Sequence, residues 1–200
     1  MQVYSYKITR DYGFAPNPFH GACTLATCKP KIRKAAKIGD LVFGCGSKAN
    51  KRPGELICAM RVSKKITFQE YWDDPSYAVK RPNFHASPAH AYGDNIYHRN
   101  ARKKWKQERS HHSYADGSVN QANLDRDTTT SEMVLISYEF VYFGRDSIPI
   151  PKKLRSFAND DLYPSTRDYR SQFSPNFIRA IERWFNQLPR GNLGRPINWS

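Results

Sequence analysis

Only one stretch of this 200-residue chain has the periodicity of a long helix, and that limits the fold more than any other feature. Ser174–Pro175 supplies an N-cap and a first helical position. Phe177, Ile178, Ile181, Trp184, Phe185 and Leu188 follow at helical spacing, and Pro189–Arg190–Gly191 ends the run. The stripe reads as core packing. Elsewhere the regular segments are short. Alternation predicts a strand over 2–9, and 41–43, 55–64 and, most clearly, 133–142 (MVLISYEFVY) also read as strands. Short helices are expected at 31–36 and 67–72. These elements suit a single α+β domain over 1–200, built on a small, strongly curved sheet or barrel with flanking short helices and one C-terminal amphipathic helix. Neither GxGxxG nor GxxxxGK[ST] occurs, so no dinucleotide or P-loop site is signalled.

Two irregular regions carry the polar chemistry. Residues 11–18, DYGFAPNP, are turn chemistry that a helix cannot run through. The loop nevertheless carries Tyr12, Phe14, Asn17, Phe19 and His20, and leads to Cys23 and Thr24. Aromatic faces stack on bases and an Asn amide pairs with a base edge, which is what holding an unstacked base requires. A packed loop in which Asn17 satisfies its own backbone is the alternative. The second region, 73–128, is weakly periodic and rich in His, Asn, Asp, Gly and Tyr, and reads as a long insertion. Asn95, Tyr97, His98, His111, His112, Asp116, Asn120 and Asp127 are its polar cluster, and Asn95, Tyr97 and Asn120 join the loop residues as candidates for holding a base. Histidine moves protons near neutral pH and a carboxylate can orient it, so His98, His111, His112, Asp116 and Asp127 are the candidate acid/base residues. Ordinary turn and cap roles are the competing reading.

Charge narrows the partners. There are 32 Lys+Arg against 18 Asp+Glu, a formal +14. Residues 1–110 hold 21 basic and 8 acidic side chains, so nearly all of the excess lies there. Lys29, Lys31, Arg33, Lys34 and Lys37 fall within nine residues. Lys48, Lys51 and Arg52 occupy the next loop. Arg99, Arg102, Lys103, Lys104, Lys106 and Arg109 surround Trp105. Cations interleaved with an aromatic suit phosphate contact plus stacking. DNA or a nucleotide is the expected partner, with the lysines and arginines at 29, 31, 33, 34, 48, 51, 52, 102, 103 and 104 on phosphates.

Other classes are disfavoured. No apolar run approaches the roughly 18 residues of a membrane span, and the start, MQVYSYKITRDYG, lacks a signal-peptide layout. Cys23, Cys28, Cys45 and Cys58 match no common zinc spacing, so they read as thiols of a reducing cytoplasm. Spacing gives neither Cys23 nor Cys28 a catalytic partner. The reading calls for no metal and no cofactor.

Two resemblances add to this. Lys37–Val62, KIGDLVFGCGSKANKRPGELICAMRV, runs turn, short strand, small-residue stop and returning strand. It resembles the barrel of PUA-like domains of the EVE, ASCH and YTH type, which implies that Ser47 and the small residues let a ligand come close. The segments DYGFAPNPFHGACTLATCKPKIR, YGDNIYH, SHHSYADGSVNQANLDRDT and VLISYEFVYFG are similar to the second type of nucleotide modification associated domain, over nearly the whole chain. That family implies a bacterial or phage setting beside DNA-modification genes and other proteins of those systems. The leading expectation is a binder of nucleic acid or a nucleotide that recognises a modified base. An enzyme using the His/Asp cluster and an interaction module of a defence complex are the alternatives.

Overall fold

A computed structural model describes residues 1–157, 159–166 and 168–199. In chain order the strands and α-helices are β1 (Val3–Lys7), β2 (Cys23–Leu25), α1 (Pro30–Ala35), β3 (Leu41–Cys45), β4 (Glu55–Arg61), β5 (Lys64–Thr67), α2 (Phe68–Asp73) and α3 (Pro88–Ala91). They continue with β6 (Tyr97–Arg99), β7 (Trp105–Gln107), α4 (Gln121–Thr128), β8 (Met133–Ser137) and β9 (Glu139–Tyr142). The last are β10 (Ile148–Pro149), β11 (Tyr169–Arg170), α5 (Pro175–Gln187) and β12 (Gly191–Asn192). The chain forms two compact units. One comprises Met1–Tyr12, Ala36–Ser63 and Ser137–Ser200, and the other Gly13–Ala35 and Lys64–Ile136.

The first unit holds a seven-stranded sheet of order β11-β1-β3-β4-β9-β12, with β10 on β4. β1 runs parallel to β3, which pairs antiparallel with β4. The path is open, so among the described residues the expected barrel is an open mixed sheet. The helical stripe forms α5 as its periodicity requires: Ser174 accepts from the Phe177 N–H at the N-cap, and Pro175 opens the helix. Phe177, Ile181 and Phe185 are fully buried with Val3, Leu41, Phe43 and Val141. Each such side chain contributes about 2 kcal/mol through burial. Trp184 stacks on Phe43 at 6.0 Å between ring centroids. Two small residues at the end of β3 meet close neighbours. A Cβ on Gly46 would meet the Arg52 carbonyl at 2.1 Å, and Ile8 fills the space beside Gly44.

The second unit contains the sheet β2-β8-β5, the hairpin β6–β7 and helices α1 to α4. Thr67 and Glu70 close a capping box at the start of α2. The stretch 133–142 is therefore two strands in two sheets, β8 and β9, broken at Tyr138, which is 53% exposed. The 73–128 stretch is ordered, with α3, the hairpin and α4 within it.

Candidate active site

Three segments of the second unit bring a thiol, an imidazole and a carboxylate together. Cys28 lies in the link between β2 and α1, His112 in the loop after β7, and Asp127 in the last turn of α4. The side chain of Asn120 caps α4 by accepting from the Asn123 N–H, and Leu124, Asp127 and Thr128 share its buried face. Asn123 in turn donates its side-chain amide to the His112 carbonyl at 2.9 Å, fixing that loop on the helix.

The Cys28 Sγ is 3.7 Å from His112 Nε2, and His112 Nδ1 is 3.1 Å from Asp127 Oδ2. A carboxylate only accepts, so the Nδ1 proton faces Asp127, and Nε2 is left to accept from the thiol. Burial opposes the His112 imidazolium, but its bonds to Asp127 and Cys28 outweigh that and raise its pKa above the ordinary histidine value. Burial likewise works against ionised Asp127, yet its His112 and Arg126 partners hold it at about 2.

Asp127 is fully enclosed by donors. Its Oδ1 accepts from the Cys28 N–H at 2.9 Å and Arg126 Nε at 3.0 Å. Its Oδ2 accepts from the Tyr97 hydroxyl at 3.0 Å and Arg126 Nη2 at 3.1 Å. Gln107 Nε2 donates to the Tyr97 hydroxyl at 3.3 Å. Arg126 keeps 43% of its side chain exposed, with Nη2 3.9 Å from the Cys28 sulfur. Beneath this layer the fully buried Arg33 donates to four carbonyls: Cys28 at 2.9 Å, Asp127 at 2.6 Å, Met133 at 2.7 Å and Ser131 at 3.1 Å.

The backbone at the thiol is unusual. Cys28 and Lys29 have φ of 56° and 42°, two successive non-glycine residues in the left-handed region. Such conformations cost about 1–2 kcal/mol per residue and gather at functional sites. Cys28 is the one cysteine of the four that is not buried. Phe14 packs edge-on to His112 at 4.6 Å and His111 at 5.3 Å, and Tyr92 meets His111 at 5.3 Å.

The family model for nucleotide modification associated domain 2 matches residues 1–200, the whole chain. This chain belongs to that family. Membership ties it to nucleotide modification systems. No curated protein and no solved structure matches it. In this member of the nucleotide modification associated domain 2 family, the residues predicted from the sequence fall into several environments.

Of the acid/base candidates, His112 and Asp127 meet, and His111 lies beside them among the aromatic rings. His98 is elsewhere, stacked on Trp72 at 3.9 Å and bonded to Glu108 at 2.8 Å. Asp116 is exposed and closes the Ser118 turn. Among the base-binding candidates, Tyr97 joins the centre and Phe14 flanks it. Asn17, Cys23, Thr24 and Asn95 are fully buried. The Asn17 side-chain amide donates to the Tyr92 carbonyl, and Asn95 donates to Tyr71 and Tyr77 carbonyls. Lys80, buried beside them, donates to the Asn17 carbonyl and side chain, the Ala22 carbonyl and Thr24 Oγ1. His20 is exposed against His90 at 4.5 Å. In the first unit, Tyr12 accepts from Trp199 and Ser47 donates its N–H to Asn50.

The phosphate candidates also divide. Lys31, Lys34, Arg102, Lys103 and Lys104 are exposed in the second unit, whereas Arg33 is buried under the thiol and Lys29 is half-buried. Lys48 and Lys51 are exposed in the first unit, where Arg52 pairs with Glu55. Sequence reasoning missed Cys28, Arg126 and the positioning role of Arg33. Cys28 and His112 are 84 positions apart, so no spacing could link them. Among the described residues no group of three or more His, Cys, Asp or Glu is arranged to hold a metal, and no helix is long and apolar enough to cross a membrane.

Proposed function

We propose that this protein is a nucleotide-modification enzyme that works by nucleophilic catalysis, with Cys28 as nucleophile, His112 as general base and then acid, and Asp127 as the residue that orients His112. The observation that carries the reading is the unbroken line from the Cys28 sulfur through both ring nitrogens of His112 to Asp127. A thiol, a base and an orienting carboxylate are the parts that acyl transfer needs. His112 Nε2 takes the thiol proton as sulfur attacks the acyl carbon of an amide or ester carried on a base. The S–C bond forms, the C–N or C–O bond breaks, and His112 returns the proton to the leaving group. Water, deprotonated by His112, then cleaves the thioester, releasing the acid and restoring the thiol. Arg126, partly open to solvent beside the sulfur, suits the negative charge that develops on the attacked oxygen.

The family supports nucleotides as the substrate class. The rings of Phe14, Tyr92 and His111 beside His112 support recognition of a base by its flat faces. The setting we infer is bacterial DNA modification or phage defence in the cytoplasm, and the strand–stop–strand of Lys37–Val62 favours a PUA-like origin for the first unit.

Intact-mass spectrometry after quenching with an N-acylated cytosine oligonucleotide tests the chemistry. The acyl mass should appear on Cys28 and vanish in Cys28→Ala. Iodoacetamide alkylation tests the dyad independently. His112→Asn should slow Cys28 alkylation at least tenfold near neutral pH and alter its pH profile. Identical rates and profiles in the two proteins would sink the reading.

A further inference from the structure

The hairpin β6–β7 joins two features that the function above does not use together. Its base belongs to the thiol centre: Tyr97, opposite Gln107 in the register, bonds Asp127 and Gln107 bonds Tyr97. Its tip is cationic. Arg102, Lys103 and Lys104 are consecutive and exposed, and their side chains have no hydrogen-bond or ion-pair partner among the described residues. The other cations of the hairpin are already engaged. Arg99 pairs with Glu132 at 2.6 Å and covers Trp105 at 4.1 Å, and Lys106 pairs with Glu108 at 2.8 Å.

The tip backbone is also fixed. Asn100 Oδ1 accepts from the N–H groups of Arg102 and Lys104, each at 3.0 Å, and the Lys103 N–H donates to the Asn100 carbonyl at 2.8 Å. Arg99 ties the Lys103 carbonyl back to the strand at 3.0 Å. Three uncompensated charges thus stand on a rigid turn. At about 3.3 Å per strand residue, the tip lies ~13 Å along the hairpin from the Tyr97–Gln107 pair. Along one strand of a B-form duplex, where phosphates repeat every ~3.4 Å of axis, that is about four steps.

We propose that this hairpin is a phosphate-gripping arm, so that the substrate nucleotide reaches Cys28 as part of a polynucleotide and not as a free nucleotide. The inference rests on the catalytic reading for what happens at Cys28, but the grip itself does not. Phosphate contacts of this kind position a strand without reading its sequence. A free nucleotide has no phosphate four steps away, so the tip would be idle with it.

The test is fluorescence anisotropy of the whole protein with labelled 20-nucleotide DNA and RNA of one sequence, across a salt series. The comparison is between wild type and the triple variant Arg102→Gln, Lys103→Gln, Lys104→Gln, with melting temperatures confirming the fold. The variant should bind at least tenfold more weakly. Its slope of log Kd against log salt should be shallower by about 2, because each phosphate of a single strand that a cation neutralises adds ~0.7 to that slope. The DNA and RNA arms decide which polymer is held. The oligonucleotide should also protect Cys28 from iodoacetamide where mononucleotides at equal nucleotide concentration do not, and the triple variant should lose that protection. A slope unchanged by the substitutions, no oligonucleotide binding, or equal protection by mononucleotides would overturn the arm. Anisotropy and its salt slope are read without turnover, so a thiol that proves catalytically inert removes the acyl-transfer reading while the binding result stands.

Discussion

The backbone N–H of Cys28 donates to Asp127 Oδ1 at 2.9 Å. The carboxylate that orients His112 thus also holds the main chain of the thiol that His112 serves. Asp127→Asn removes the charge and makes the side chain face several donors with a donor of its own. Turnover should fall by about 10²–10⁴, the range for a misaligned general base, and the Cys28 alkylation rate should fall with it. Steady-state kinetics and alkylation on one preparation check this, and an unchanged kcat would show that Asp127 has only a structural role.

Asp127 and His112 together set a pH dependence of stability. Asp127 is depressed to about 2, so its contribution is present above the unfolded carboxylate value near ~4 and is lost as pH falls towards 2. His112 is raised, so its contribution is complete below ~6.5 and is lost as pH rises through its folded value. The melting-temperature difference between wild type and His112→Asn should therefore be greatest between about pH 4 and 6.5 and shrink on the alkaline side. A difference that grows above about pH 6.5 would contradict the sign.

Arg33 gives a sharper stability test. Burial lowers its pKa to about 10, yet the guanidinium still joins the carbonyls of Cys28 and Asp127. Arg33→Met leaves these four carbonyls without their donor and should cost about 1–3 kcal/mol in urea titration. Arg33→Lys should recover only part of that, because an ammonium cannot reproduce the planar fork. A loss below ~1 kcal/mol for Arg33→Met would mean the carbonyls find water.

The left-handed backbone at Cys28 predicts an order of variants. Cys28→Ala keeps the β-carbon penalty and Cys28→Gly removes it. The glycine variant should be more stable by about 1 kcal/mol, the reverse of the order at an ordinary position. Paired thermal melts decide it.

Local chemistry was legible where it acts locally. The Ser174–Pro175 start, the α5 stripe and the strand expected at 41–43, which runs on to Cys45, follow from a cap, helical spacing and a short apolar run. The MVLISYEFVY run was not divisible by eye, because both halves are buried almost throughout and only tertiary pairing assigns them to different sheets. At the site, His112 and Asp127 stood out as residue types. Arg33 looked like one cation among five, and only its neighbours in space turned it inward. Cys28 owes its role to a loop brought against α4 from far along the chain, which no spacing encodes.

Lys80 has a consequence of its own. Its ammonium gathers oxygens from Asn17, Ala22 and Thr24 in a dry interior, much as a bound cation would, and burial brings its pKa down to about 8. Asn17 and Thr24 also exchange backbone hydrogen bonds across it. Peeling this loop away would take four oxygen contacts from a buried ammonium and leave it only the nearby Asp94, so the segment from Asn17 to Thr24 is cross-linked by an ion that the chain itself provides. The Asn17 amide carries that tie on to the Tyr92 carbonyl, so the ring beside His111 is anchored to the same ion.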